Sequence, residues 1–144
     1  MEMTDVAHVE LLERLDEGKV IQFTPQGISM LPFIQGGRDK VRIQKEEKIE
    51  VGDIVLVPHG GRLILHRVYA MEGTKLILMG DGNLKGNEMV DKTEVLGTVM
   101  EIVKPDGRCC KPHKAWLWRH TQPFRRMMLK LRRKWYKLRG WNPE

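Results

Sequence analysis

Two cysteines in 144 residues are too few, and too awkwardly placed, to build a disulfide framework. Cys109 and Cys110 are adjacent, and neighbours bridge each other only under strain. His113 could join them around a metal. However, adjacent cysteines lack the C-x-x-C ligand spacing and no second pair follows, so neither a metal nor a cofactor is expected. Long apolar runs are missing too. Nothing approaches the ~20 uncharged residues that cross a bilayer, and the start of the chain has neither the basic residues nor the apolar core of a secretory signal. Strands do not alternate with long helices, which excludes a doubly wound sheet. Internal repeats and low-complexity linkers are also absent. The length suits one core with appendages.

Acidic residues are scarce at the C-terminal end. From Pro105 to Glu144 there are twelve Lys plus Arg against Asp106 and Glu144, a surplus of ten positive charges in a chain whose net charge is +6; the rest therefore carries −4. A basic tail joined to a mildly acidic body calls for an anionic partner. After Pro123, residues Phe124, Met127, Met128, Leu131, Trp135 and Leu138 recur at three- and four-residue steps among Arg and Lys, the pattern of a basic amphipathic helix. It suits an anionic membrane surface. A helix docked on the body is the plainer alternative. Nucleic acid is disfavoured, because the aromatics cluster on the apolar side instead of interleaving with the charges.

Three parts follow from this reading: an N-terminal helix over 1–18, a β domain over 19–104 and the basic tail over 105–144. Thr4 or Asp5 caps the first helix, whose Val6, Val9, Leu11, Leu12 and Leu15 share about one face, and Gly18 stops it. The helix is expected to cover an edge of the domain. Strands are predicted over Lys19 to Thr24, Lys40 to Gln44, Asp53 to Pro58, Arg62 to Tyr69, Lys75 to Met79 and Glu94 to Val103, with Glu72-Gly73 as a hairpin turn. Gly36-Gly37-Arg38-Asp39 is read as a turning loop. The fold class is mainly β, an irregular coiled sheet or partly open barrel with a short N-terminal helix and a basic amphipathic C-terminal helix.

One stretch, Gly27-Ile28-Ser29-Met30-Leu31-Pro32, makes little sense as packing alone. Glycine and proline turn the backbone sharply around Ser29, so its hydroxyl can face a substrate; a solvated serine in an ordinary turn is the bland alternative. Downstream, Leu63-Ile64-Leu65-His66-Arg67-Val68-Tyr69 reads as a buried strand with a histidine in mid-run. Leu76-Ile77-Leu78-Met79-Gly80-Asp81-Gly82-Asn83 reads as a strand running into a turn. A serine hydroxyl attacks an amide only when a neighbouring base takes its proton. His66 is the natural base, since imidazole as a class can accept a proton near pH 7 and return it to a leaving amine. His59, between Pro58 and Gly60-Gly61, falls in an exposed hairpin loop. His8, His113 and His120 lie outside the β body. The backbone N–H groups of Ser29 and Met30 are the candidate oxyanion donors.

In this order, Gly-x-Ser-Met-x-Pro, His-Arg-Val in an apolar strand and Gly-Asp-x-Asn, the chain resembles type I signal peptidases over about residues 23–99. It looks most like the archaeal and endoplasmic-reticulum branch, where histidine replaces the catalytic lysine of bacterial signal peptidases and LexA-type autoproteases. Val51-Gly52-Asp53-Ile54-Val55 is similar to the family's strand after its Gly-Asp element. The resemblance implies a sheet or barrel of signal-peptidase/LexA type and a serine endopeptidase that cleaves a precursor protein or peptide, with Ser29 as nucleophile and His66 as base. It also calls for a carboxylate behind the histidine. Asp81, in the Gly-Asp-x-Asn turn, is the first candidate, and Asp91, across a longer loop, is the alternative. The substrate is expected to lie extended along a strand edge, with Met30, Leu31 and Phe33 near shallow sites for small side chains.

Family members carry a transmembrane anchor before the serine, where this chain has a short charged helix. The expected location is therefore cytoplasmic, peripheral at the inner face of the membrane through the tail. Two other classes compete. A LexA-type self-cleaving regulator is weakened by the missing DNA-binding domain, by histidine in place of lysine and by the lack of any Ala-Gly dipeptide. A non-catalytic peptide- or membrane-binding module keeping the fold is the third.

Overall fold

The computed structural model describes residues 5–27, 29–30, 33–82, 88–112 and 115–140; side chains are described from residue 9 in the first helix and from 123, except 125, in the last. Among the described residues, eight strands form one open antiparallel sheet: β1 (Ile21–Phe23), β2 (Lys40–Gln44), β3 (Ile54–His59), β4 (Arg62–Glu72), β5 (Lys75–Met79), β6 (Glu88–Asp91), β7 (Gly97–Val103) and β8 (Cys109–Cys110). Their order is β1-β2-β7-β3-β4-β5-β6, with β8 paired to β7. Helices α1 (Asp5–Asp16) and α2 (Ala115–Leu138) flank the strands in sequence. No described helix is long and apolar enough to cross a membrane.

The centre of the sheet is β3. Its run Ile54-Val55-Leu56-Val57 is buried on both faces, because successive side chains of a strand point in opposite directions. Ile54 and Leu56 enter one cluster with Met30, Ile34, Val41, Ile43, Leu63, Leu65, Val99 and Ile102. Val55 and Val57 enter the other, with Ile49, Val68, Leu76, Leu78 and Val90. Each such side chain gains about 1.5–3 kcal/mol on leaving water. Helix α1 closes the first cluster with Leu11 and Leu15, so the expected covering helix is a core element. Its proposed cap Thr4 lies outside the described residues.

Register shifts at Arg42/Ile43 and between Val68 and Ala70 bend the sheet. β4 runs past Tyr69, its expected end, as far as Glu72, because pairing with β5 sustains the strand. Three further differences from expectation have physical reasons. Lys92–Glu94 is a 3-10 turn capped by Asp91, which delays β7 to Gly97. The short strands β6 and β8 form through pairing with β5 and β7 and not from periodicity of their own. Helix α2 begins at Ala115 and runs through Pro123, whose missing N–H removes one helical hydrogen bond without ending the helix.

Candidate active site

Ser29 sits in a braced turn. Gly27 adopts φ +87°, a conformation that L side chains rarely adopt, and the Met30 carbonyl accepts from Phe33 N–H (3.1 Å) and Ile34 N–H (3.0 Å). Ile28, Leu31 and Pro32, part of the motif and of the expected substrate-lining segment, lie outside the described residues. Gly36 presses on this turn from behind. A Cβ added there would stand 2.1 Å from the Gly27 carbonyl oxygen, so the two backbones approach as only glycine allows. Gly37 N–H donates to Pro25 O at 2.7 Å.

The turn is also held electrostatically. Asp39, fully buried, accepts from Gln35 N–H (2.9 Å), the Arg38 guanidinium (3.0 Å) and Lys104 Nζ (2.8 Å), and Lys104 also donates to the Phe33 carbonyl (3.1 Å). Burial alone would push the Asp39 carboxyl up. The hydrogen bonds from Arg38, Gln35 and Lys104 outweigh that and hold it below its ordinary value.

A second brace comes from β4. Arg67 is fully buried, its Nε and an Nη pairing with the two Asp81 carboxylate oxygens at 2.8 and 2.7 Å. Its other Nη donates to Gly52 O at 2.7 Å, and the guanidinium lies 5.3 Å from the Phe33 ring centroid. One side chain thus ties together the turn after β5, the turn before β3 and the serine loop. Gly82 N–H, next to Asp81, donates to the Ser29 carbonyl at 2.7 Å.

This arrangement corrects the expected role of Asp81, whose carboxylate is committed to Arg67. His66 and Arg67 are consecutive in a strand and point to opposite faces, so a carboxylate bidentate on one is on the wrong side for the other. The partner of His66 is Glu88. His66 Nδ1 and Glu88 Oε2 are 2.7 Å apart, with the two side chains only 6% and 19% exposed. A carboxylate only accepts, so Nδ1 carries the proton, and in the neutral imidazole Nε2 is then the acceptor. Asp91, the alternative third member, is also corrected. It lies at the far end of β6 and caps the 3-10 turn, accepting from Thr93 N–H (3.0 Å) and Thr93 Oγ1 (2.9 Å); the Thr93 bonds bring its carboxyl down to about 2.

Strand pairing explains how Glu88 arrives. Leu78 and Val68, cluster residues on the same face as His66, are cross-strand neighbours, and Glu88 stands opposite Leu78. Glu88 does not stand out in the sequence, because β6 is only four residues long and the motif resemblance points to aspartates. The alternation Glu88, Val90 was the available signal, since it gives both one face.

The first half of β4 pairs with β3, whereas β5 joins β4 only from Arg67 onward. Along that early part of β4 lies the serine turn. Ser29, Met30, Phe23, Leu56, Leu63 and Leu65 help line a cleft of about 60 Å³, room for a small side chain. Ser29 approaches from the first cluster's face and His66 from the second, and no hydrogen bond joins these two described side chains. Among the described residues, the N–H groups of Ser29 and Met30 donate to no acceptor. His59 is exposed, but it ends β3 paired with Arg62 and is not part of the loop expected for it, and both cysteines are exposed. In comparisons with known proteins, no family model matches the chain and no curated protein does.

Proposed function

We propose that the protein is a serine endopeptidase of signal-peptidase type, with Ser29 as nucleophile, His66 as general base and Glu88 as the carboxylate that orients the imidazole. The observation that carries this reading is the 2.7 Å contact between Nδ1 of the buried His66 and Glu88, a histidine–carboxylate pair of the kind a serine nucleophile needs. In the reaction, Ser29 Oγ attacks the peptide carbonyl while His66 Nε2 takes its proton, and the imidazolium gains the Glu88 counter-charge. The proton passes to the leaving amine and water then hydrolyses the acyl-enzyme. The N–H groups of Ser29 and Met30 would receive the oxyanion, a role worth about 3 kcal/mol per donor. The small cleft suits short apolar side chains, in keeping with the motif resemblance.

The lack of a Ser29–His66 hydrogen bond favours a second reading, a peptide-binding module without catalysis. Ser29 and His66 meet β4 from opposite faces, so catalysis requires the serine turn to carry Oγ round to the imidazole, and labelling decides between the two. A fluorophosphonate probe should label the wild type, and Ser29→Ala should abolish labelling. Ser29→Ala, His66→Ala and the double variant should lose peptide-cleaving activity to nearly the same extent, because members of one catalytic unit are not additive. Losses that add, or labelling that survives Ser29→Ala, would sink the proposal.

A further inference from the structure

Among the described residues, the outer side of α2 packs against no other element. Leu129, 5% exposed, and Arg133, one turn on, face the body, and Arg133 donates to the Gly82 carbonyl at 3.0 Å. At about 100° per residue, Phe124, Met127, Met128, Leu131, Trp135 and Leu138 fall in one strip on the opposite side. All six are between 41 and 79% exposed. Lys130, Lys134 and Lys137 flank the strip on one side, and Arg132 and Arg139 on the other. From Ala115 to Arg139 there is no acidic residue.

We infer that this strip is a docking surface for an anionic lipid bilayer, with α2 lying in the interface, its apolar side chains among the acyl chains and its bordering cations at the headgroups. Charge selects this occupant. A second copy of the helix would bring cation rows against cation rows, with no anion to relieve them. Nucleic acid would meet the cations only by leaving six large apolar side chains in water. A bilayer with anionic headgroups satisfies both the strip and its borders, and each basic residue near such a surface raises binding about fivefold. The inference does not rest on the catalytic reading.

The test is co-sedimentation of the full chain, carrying Ser29→Ala to prevent proteolysis, with phosphatidylcholine vesicles and with the same vesicles containing phosphatidylglycerol. Binding should be more than about tenfold stronger to the anionic vesicles, and should weaken without vanishing as salt rises to physiological strength, where the Debye length is about 8 Å. Leu131→Glu with Trp135→Glu should remove it. Lys134→Glu with Lys137→Glu, which leaves the strip intact, should abolish the preference for anionic lipid, so one informative variant remains should the other misfold by circular dichroism. Equal binding to both vesicles, no binding, duplex DNA or RNA binding without vesicle binding, or a concentration-dependent dimer that buries Trp135 would each overturn the inference.

Discussion

Glu88 and Asp81 act on adjacent residues of β4 from opposite faces, and their surroundings predict different consequences of neutralising them. Glu88→Gln keeps the shape beside His66 and removes the charge. In the proposed mechanism activity should fall on the order of 10²- to 10⁴-fold, with the melting temperature almost unchanged. Asp81→Asn instead strands the fully buried Arg67 and should destabilise the fold by about 3–5 kcal/mol. Denaturant unfolding together with peptide cleavage separates the two; equal stability losses would contradict the assignment of Glu88. Ser29 and His66 were legible as candidates because glycine, proline and an apolar strand frame them. The carboxylate was not, because choosing between Asp81 and Glu88 requires knowing which face of β4 each one meets. Arg67 looked like part of a motif, and only its burial shows that it joins three loops.

At the scale of elements, the serine turn depends on parts distant in sequence: Gly36 behind it, Lys104 after β7 and Asp39 before β2. The Asp39 carboxyl is held below its ordinary value, so its stabilising contribution is complete above the unfolded carboxylate's pKa of about 3.8 and is lost as pH falls through the lower folded value. Asp39→Asn should therefore cost about 2 kcal/mol near neutral pH. Its stability gap from wild type should stay level down to about pH 5 and close below about pH 4. A gap unchanged at pH 3 would mean that the charge contributes nothing. Most strands were readable from alternating apolar residues bounded by glycine. The exceptions are β6, β8 and the early start of α2: pairing decides the two strands and helical continuity through Pro123 the helix, and none of these leaves a period in the sequence.

At the scale of the whole molecule, an open antiparallel sheet with two clusters agrees with the mainly β reading, and α1 is more deeply built in than a covering helix would be. A docked α2 was the plainer alternative in the sequence, but the residues that dock it were not visible, since Leu129 and Arg133 are ordinary members of an amphipathic helix until Gly82 is placed beside them. That contact sets a height. A helix is about 10–12 Å across, and the side of α2 that would meet lipid is opposite the side that holds Gly82, whose N–H holds the Ser29 carbonyl. With α2 on a bilayer, the serine rides roughly one helix diameter above it. Extended chain advances about 3.3 Å per residue, so a peptide rising out of the membrane needs roughly three residues of clearance before its carbonyl reaches the hydroxyl. Lipid-anchored peptides whose cleavable bond is stepped outward one residue at a time should be cut poorly at first and then well beyond that distance. A flat rate along the series would mean that the helix gauges nothing.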